Sequence, residues 1–252
     1  MPFTITTPDG ASLCARDWTA AGEAWLGLVI VHGAAEHAGR YEAVGRRLAE
    51  AGIDVRAYDQ RGHGASSGRR GDVERWTDYT GDVGRMVEAY PSAAAGLPIA
   101  LLGHSMGGLI VLDAVLTGVA TPDLLVLSAP GIGDGLPAWQ HALAPLVARV
   151  WPTLTLANGW GPEDLSRDPA VGAAAASDPV QLERATVRLG ALGFGAQERV
   201  RAAVADLELP TFVVQGGQDT LVPPAATEVL GHLPGVTRKL YPALRHETLF
   251  EP

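Results

Sequence analysis

The chain has 252 residues, 47% of them hydrophobic, a formal net charge of −9 and one cysteine, Cys14. That length and apolar content suit one large α/β domain with a full core and speak against disorder. The acidic balance excludes a nucleic-acid binder or electrostatic docking on anionic membranes, and a single cysteine excludes an intrachain disulfide. Cys14 falls in a predicted strand and reads as a packed thiol. The segment from Met1 to Trp18 has no basic patch followed by an apolar core. No apolar run has bilayer length, so a cytoplasmic enzyme is expected.

In chain order, Phe3 to Thr6 and Leu13 to Trp18 read as two strands joined by the turn signal Pro8-Asp9-Gly10, a hairpin at the edge of a sheet. Leu26 to Val31 is a dense apolar run, predicted as a central strand that opens into the loop His32-Gly33-Ala34-Ala35-Glu36-His37. A helix is predicted over Arg40 to Ala51 and a strand over Ile53 to Tyr58, closing on the Gly-rich loop that starts at Asp59. Trp76 to Tyr90 reads as a helix ended by Pro91. Ile99 to Leu102 reads as a buried strand, Gly108 to Leu116 as a helix and Leu124 to Ser128 as the next strand. Strands alternating with helices imply a mostly parallel sheet with helices on both faces, and ligands then sit beyond the carboxyl ends of the strands.

From Gly131 to about Asp206 the alternation stops. Prolines recur at 137, 145, 152, 162, 169 and 179, and Trp139, Trp151, Trp160 and Phe194 are interspersed. This stretch reads as an inserted helical cap over residues 131–206, with a core formed by 1–130 and 207–252. As a whole the cap reads as the wall of an apolar channel, although each aromatic by itself is as readily explained as a seal on the core. The core resumes with a strand over Thr211 to Gln215, a helix over Pro223 to Leu233 and a last strand over Thr237 to Tyr241.

Gly103-His104-Ser105-Met106-Gly107 is a G-x-S-x-G pattern between a predicted strand and a predicted helix. In that context it reads as a nucleophile elbow: Ser105 sits in a strained turn, and the glycines let strand and helix approach. Acyl transfer through serine needs a base to take the hydroxyl proton and an acid to orient the base. Ser105, Asp219 and His246 stand in the chain order of α/β hydrolases, each just after a strand. They are assigned as nucleophile, orienting carboxylate and general base. His104, His32, His37, His63, His141 and His232 are set aside, since only His246 follows the acid and ends a strand. The oxyanion of the tetrahedral intermediate needs backbone donors, which by position are the amides of Met106 and Ala34. No metal-ligand spacing or phosphate loop is present, and the chemistry calls for no cofactor.

His32-Gly33-Ala34-Ala35-Glu36-His37 through Arg40-Tyr41 resembles the HG-x-x-EH-x-x-RY segment of monoacylglycerol lipases. Gly103 to Gly108 resembles their GHSMGG elbow. Asp59 to Gly68 and the terminal stretch Arg245-His246-Glu247 to Glu251-Pro252 are also similar, so the resemblance covers nearly the whole chain. It implies an α/β-hydrolase fold and a serine esterase that cleaves monoacylglycerols, with Ala34 and Met106 as oxyanion donors. It implies further that glycerol lies near Glu36 and Arg40 and the acyl chain under the cap. Those two residues also fit an ion pair that pins the loop. The implied partner is a small lipid ester, with transient contact of the apolar cap with a membrane or micelle; oligomeric state is left open. The resemblance also implies a final helix after His246, for which this sequence leaves six residues. A general carboxylesterase or lysophospholipase with the same triad, or a non-catalytic ligand-binding member of the fold, are the alternatives.

Overall fold

The computed structural model describes residues 1–91 and 96–251. Eight strands form one sheet in the order β1-β2-β4-β3-β5-β6-β9-β10. Here β1 is Phe3–Thr6, β2 Ser12–Trp18, β3 Leu26–Val31, β4 Ile53–Tyr58, β5 Ile99–His104, β6 Leu124–Ser128, β9 Thr211–Gly216 and β10 Val236–Tyr241. The hairpin β1–β2 is antiparallel and β2 pairs antiparallel with β4; every later pairing is parallel. The carboxyl ends of β3, β5, β6 and β9 therefore open on one side, and that is where the predicted site residues lie.

Burial explains the central strands. β3 and β5 are buried at every position, as apolar runs with no polar alternation must be. One face packs Val29, Val31, Leu101, Leu125 and Val213 beneath α2 (Trp76–Glu88) and α3 (Met106–Leu116). The opposite face packs Leu28, Ile30, Val55, Ala57 and Leu102 against Tyr41 and against Val44 and Leu48 of α1 (Glu42–Glu50), with Leu249 and Phe250 beside them.

Several element ends and one helix type differ from the sequence reading. The helix expected from Arg40 begins as a 3-10 turn, Ala38–Tyr41, because the Asp59 carboxylate accepts the Ala38 amide and the His37 ring accepts that of Gly39. The elbow helix starts at Met106, directly after the serine, where Gly107 and Gly108 leave room for the backbone of Val31 and Pro130. The helix expected over Pro223 to Leu233 is a 3-10 segment, Pro224–His232.

Between Ser128 and Thr211 the chain leaves the large sheet. It forms α4 (Ala138–Val150), β7 (Thr155–Ala157), α5 (Pro162–Leu165), α6 (Pro169–Ser177), β8 (Arg184–Thr186) and α7 (Val187–Ala203). Besides the helices expected of this segment there is a short antiparallel ribbon, β7–β8. Three-residue strands carry no readable alternation, so they left no sequence signal. Among the described residues no helix is long and apolar enough to cross a membrane. Pro252, the last residue of the terminal motif, lies outside the described residues.

Candidate active site

Ser105 follows β5 directly, with φ +51° and ψ −118°, a left-handed conformation that costs about 1–3 kcal/mol for a residue with a side chain. Neighbouring contacts hold it there. Its amide donates to Ser128 O at 2.9 Å, and its carbonyl accepts the amides of Gly131 at 2.8 Å and Leu109 at 3.1 Å. A Cβ on Gly107 would lie 2.1 Å from the Val31 carbonyl oxygen, so only glycine lets α3 start this close to β3.

Asp219, after β9, is buried. Its Oδ1 accepts the amides of Leu221 and Val222, both at 2.9 Å. Its Oδ2 accepts the Gln215 side-chain amide at 3.1 Å and faces His246 Nδ1 at 2.9 Å. With Asp219 ionised, His246 donates from Nδ1, which leaves Nε2 as the acceptor. The segment after His246 is tied back to the elbow. Thr248 and Ser128 hydroxyls lie 2.8 Å apart, Ser128 O accepts the Ser105 amide, and the His246 ring packs 5.0 Å from that of His104. The Ser105 hydroxyl itself has no hydrogen-bond partner among the described residues.

Ala34 and Met106 face the same cavity as Ser105, and the amide of neither donates to another described residue. The cavity holds about 810 Å³ and runs beneath the β6–β9 insertion, walled by Leu109, Leu143, Val147, Leu156, Leu189 and Phe194. The arrangement can present a hydroxyl, two free amides and a long apolar space to one molecule.

Glu36 and Arg40 are not among the residues that wall the cavity. Both side chains are nearly buried. Arg40 forms a two-pronged ion pair with Glu247, at 2.7 and 2.6 Å, and stands 3.3 Å from Glu36. Of the two roles read from the sequence, the loop-pinning ion pair is the one the geometry matches. Burial pushes the Glu36 carboxyl up to about 7, against the pull of Arg40 and with the Glu247 charge adding to the rise. Burial holds the imidazoles of His32 and His63 down to about 3, so both are neutral at working pH. His104 is likewise held well below its ordinary range by burial. It faces the Ser128 carbonyl and hydroxyl through Nδ1. Among the described residues no group of His, Cys, Asp and Glu is arranged to hold a metal ion.

A mostly parallel sheet, a strained serine at its elbow and an Asp–His pair at the same edge define the α/β-hydrolase class. The model of the family described as serine aminopeptidase, S33, matches residues 24–252. The monoacylglycerol lipase of Mycolicibacterium smegmatis is 35% identical over 89% of this chain and 82% of its own. The human monoglyceride lipase is 33% identical over 86% of this chain and 73% of its own. The crystal structure of a monoacylglycerol lipase from Paleococcus ferrophilus superposes with a TM-score of 0.86 at 28% identity, covering 95% of this chain and 92% of that one. The chain belongs to the monoacylglycerol lipase family of serine hydrolases and is a carboxylic-ester hydrolase.

Proposed function

We propose that this enzyme hydrolyses monoacylglycerols to a fatty acid and glycerol through an acyl-enzyme on Ser105. One observation carries the reading: Ser105, Ala34 and Met106 line the same mostly apolar cavity of about 810 Å³, a volume that suits an acyl chain. His246 Nε2 takes the Ser105 proton as Oγ attacks the ester carbonyl, and Asp219 holds the imidazole in the required tautomer. The Ala34 and Met106 amides receive the oxyanion. His246 then protonates the departing glycerol oxygen, and a water activated by the same nitrogen releases the fatty acid.

Residues 131–206 act as the cap over this cavity, and its exposed apolar side chains touch the membrane or micelle that holds the substrate. Cytoplasmic residence follows the same reading: a lone cysteine with no disulfide suits a reducing compartment.

Two measurements test it. A fluorophosphonate should label Ser105 in the wild type and leave Ser105→Ala, folded to the same Tm, unlabelled and inactive. Across monoacylglycerols, diacylglycerols, lysophosphatidylcholine and short nitrophenyl esters, kcat/KM should be highest for monoacylglycerols. Equal rates across the panel would remove the glyceride assignment and leave a general esterase.

A further inference from the structure

The oxyanion donor on the β3 loop is a backbone amide, so its direction is set by whatever holds the peptide it belongs to. The Ala34 N–H lies in the Gly33–Ala34 peptide. In a planar trans peptide the carbonyl and the N–H point in opposite directions, so fixing one aims the other.

The Gly33 carbonyl is fixed by His32. The ring accepts the Gln60 amide at Nε2, 2.9 Å away, which puts the proton on Nδ1. Nδ1 then donates to Gly33 O at 2.8 Å. His32 is 1% exposed, and its neutrality keeps this tautomer at any working pH. The preceding peptide is fixed by Glu36, whose Oε1 accepts the Gly33 amide at 2.9 Å. Glu36 is in turn held beside Arg40, and Arg40 is locked on Glu247, next to His246 in the chain. On the far side, Ala35 has φ +67° and its carbonyl accepts the Leu182 amide at 2.9 Å. The held segment lies against the nucleophile: a Cβ on Gly33 would be 3.1 Å from Ser105 Cβ and 2.4 Å from Glu36 Oε1.

Building on the reading that Ala34 receives the oxyanion, we propose that His32 and Glu36 are positioning residues that clamp the two peptides flanking Gly33 and so aim the Ala34 amide at the reacting carbonyl oxygen. Neither touches substrate. Both act through the backbone, and Arg40–Glu247 extends the clamp to the loop that carries the general base. Their effect belongs on kcat, because an oxyanion donor is engaged in the transition state and not in the ground state.

The test pairs a variant that removes each contact with one that restores it. His32→Asn keeps a donor where Nδ1 stands, and His32→Ala does not. Glu36→Gln keeps an acceptor of the same reach; Glu36→Asp keeps the carboxyl group but draws the acceptor back by one methylene. Rates are expressed per Ser105 titrated with fluorophosphonate, so that loss of folded protein is not read as loss of catalysis. His32→Ala and Glu36→Asp should lose about a hundredfold in kcat with KM within about threefold, the magnitude of one oxyanion donor. His32→Asn and Glu36→Gln should return to within about tenfold of the wild type. If His32→Ala does not fold, the Glu36 pair decides alone, since neither variant opens a large cavity. A kcat per titrated site within twofold of wild type for Glu36→Asp overturns the clamp, as does a loss confined to KM. A wild type whose Ser105 takes no label would sink the proposed function instead.

Discussion

Asp219 uses both of its carboxylate oxygens, and that decides how firmly it can orient a base. Oδ1 receives two backbone amides, while Oδ2 receives a side-chain amide beside His246 Nδ1. Charge-assisted bonds of this kind are roughly twice as strong as neutral ones, so the carboxylate has little freedom to turn. Asp219→Asn would keep the shape but present an amide NH₂ where an acceptor is needed. If that NH₂ faces the ring, Nδ1 must accept, the proton moves to Nε2, and the imidazole no longer has a lone pair for the Ser105 proton. We expect a loss of about 10⁴ in kcat, as in the serine-triad template, with little change in Tm. Steady-state kinetics on a soluble nitrophenyl ester checks this, and a loss below tenfold would take Asp219 out of the role.

Among the elements, the elbow is the one whose geometry leaves no alternative residue at a key place. The Gly107 Cα hydrogen points at the backbone carbonyls of Val31 and His32, where an added Cβ would come within 2.1 and 2.5 Å. Backbone atoms of a buried strand cannot move aside. Gly107→Ala should therefore lose at least about 3 kcal/mol, which for a chain of this length lowers Tm by roughly 6–12 °C. Gly190→Ala in α7, where a Cβ would meet nothing within 4 Å, should instead raise stability by about 0.5–1 kcal/mol. Thermal unfolding of the two variants side by side gives the comparison, and a destabilisation at 107 no greater than at 190 would break the argument. The elbow was legible in the sequence because its constraint is local: strand, glycines and helix lie within 18 residues of Ile99. The order of Ser105, Asp219 and His246 was legible for a related reason: Ser105 and Asp219 follow apolar strands, and His246 follows the last strand, Val236–Tyr241. The Arg40–Glu247 pair was not, because its partners lie 207 residues apart and Glu247 gives no local sign of where its carboxylate points. For the same reason the bond from the Gly33 amide to the Glu36 carboxylate had no sign in the sequence. The ribbon β7–β8 escaped because its pairing is tertiary and its strands are too short for period-2 alternation.

At the scale of the molecule, the insertion after β6 is held to the rest very unevenly. Its later part is fastened at several points. The Asp72 carboxylate takes Arg188 and Thr186, His37 meets Asp178 at 2.8 Å, Glu247 donates its amide to Leu165 O, and Arg245 reaches the carbonyls of Glu163 and Ser166. By contrast α4 buries none of its residues and rests on α7. It leaves Leu146 60%, Val150 66% and the following Trp151 66% exposed. An apolar ridge of that size in water is unfavourable unless something covers it, at about 1.5–3 kcal/mol for each large side chain moved fully out of water. For the lipid contact proposed above, a net charge of −9 means that attraction to anionic headgroups does not supply the binding and apolar insertion does. Leu146, Val150 and Trp151 lie off the cavity wall, which separates docking from catalysis. The triple change Leu146→Gln, Val150→Gln, Trp151→Gln should leave kcat/KM on a soluble short ester within about threefold. On monoacylglycerol held in zwitterionic vesicles it should cost at least about tenfold, one 1.4 kcal/mol step of a contact worth several. Raising the anionic lipid fraction should not increase vesicle binding of the wild type, and 0.5 M salt should not abolish it. Equal losses on the soluble and the vesicle-held ester would mean that this ridge shapes the site and does not dock it to lipid.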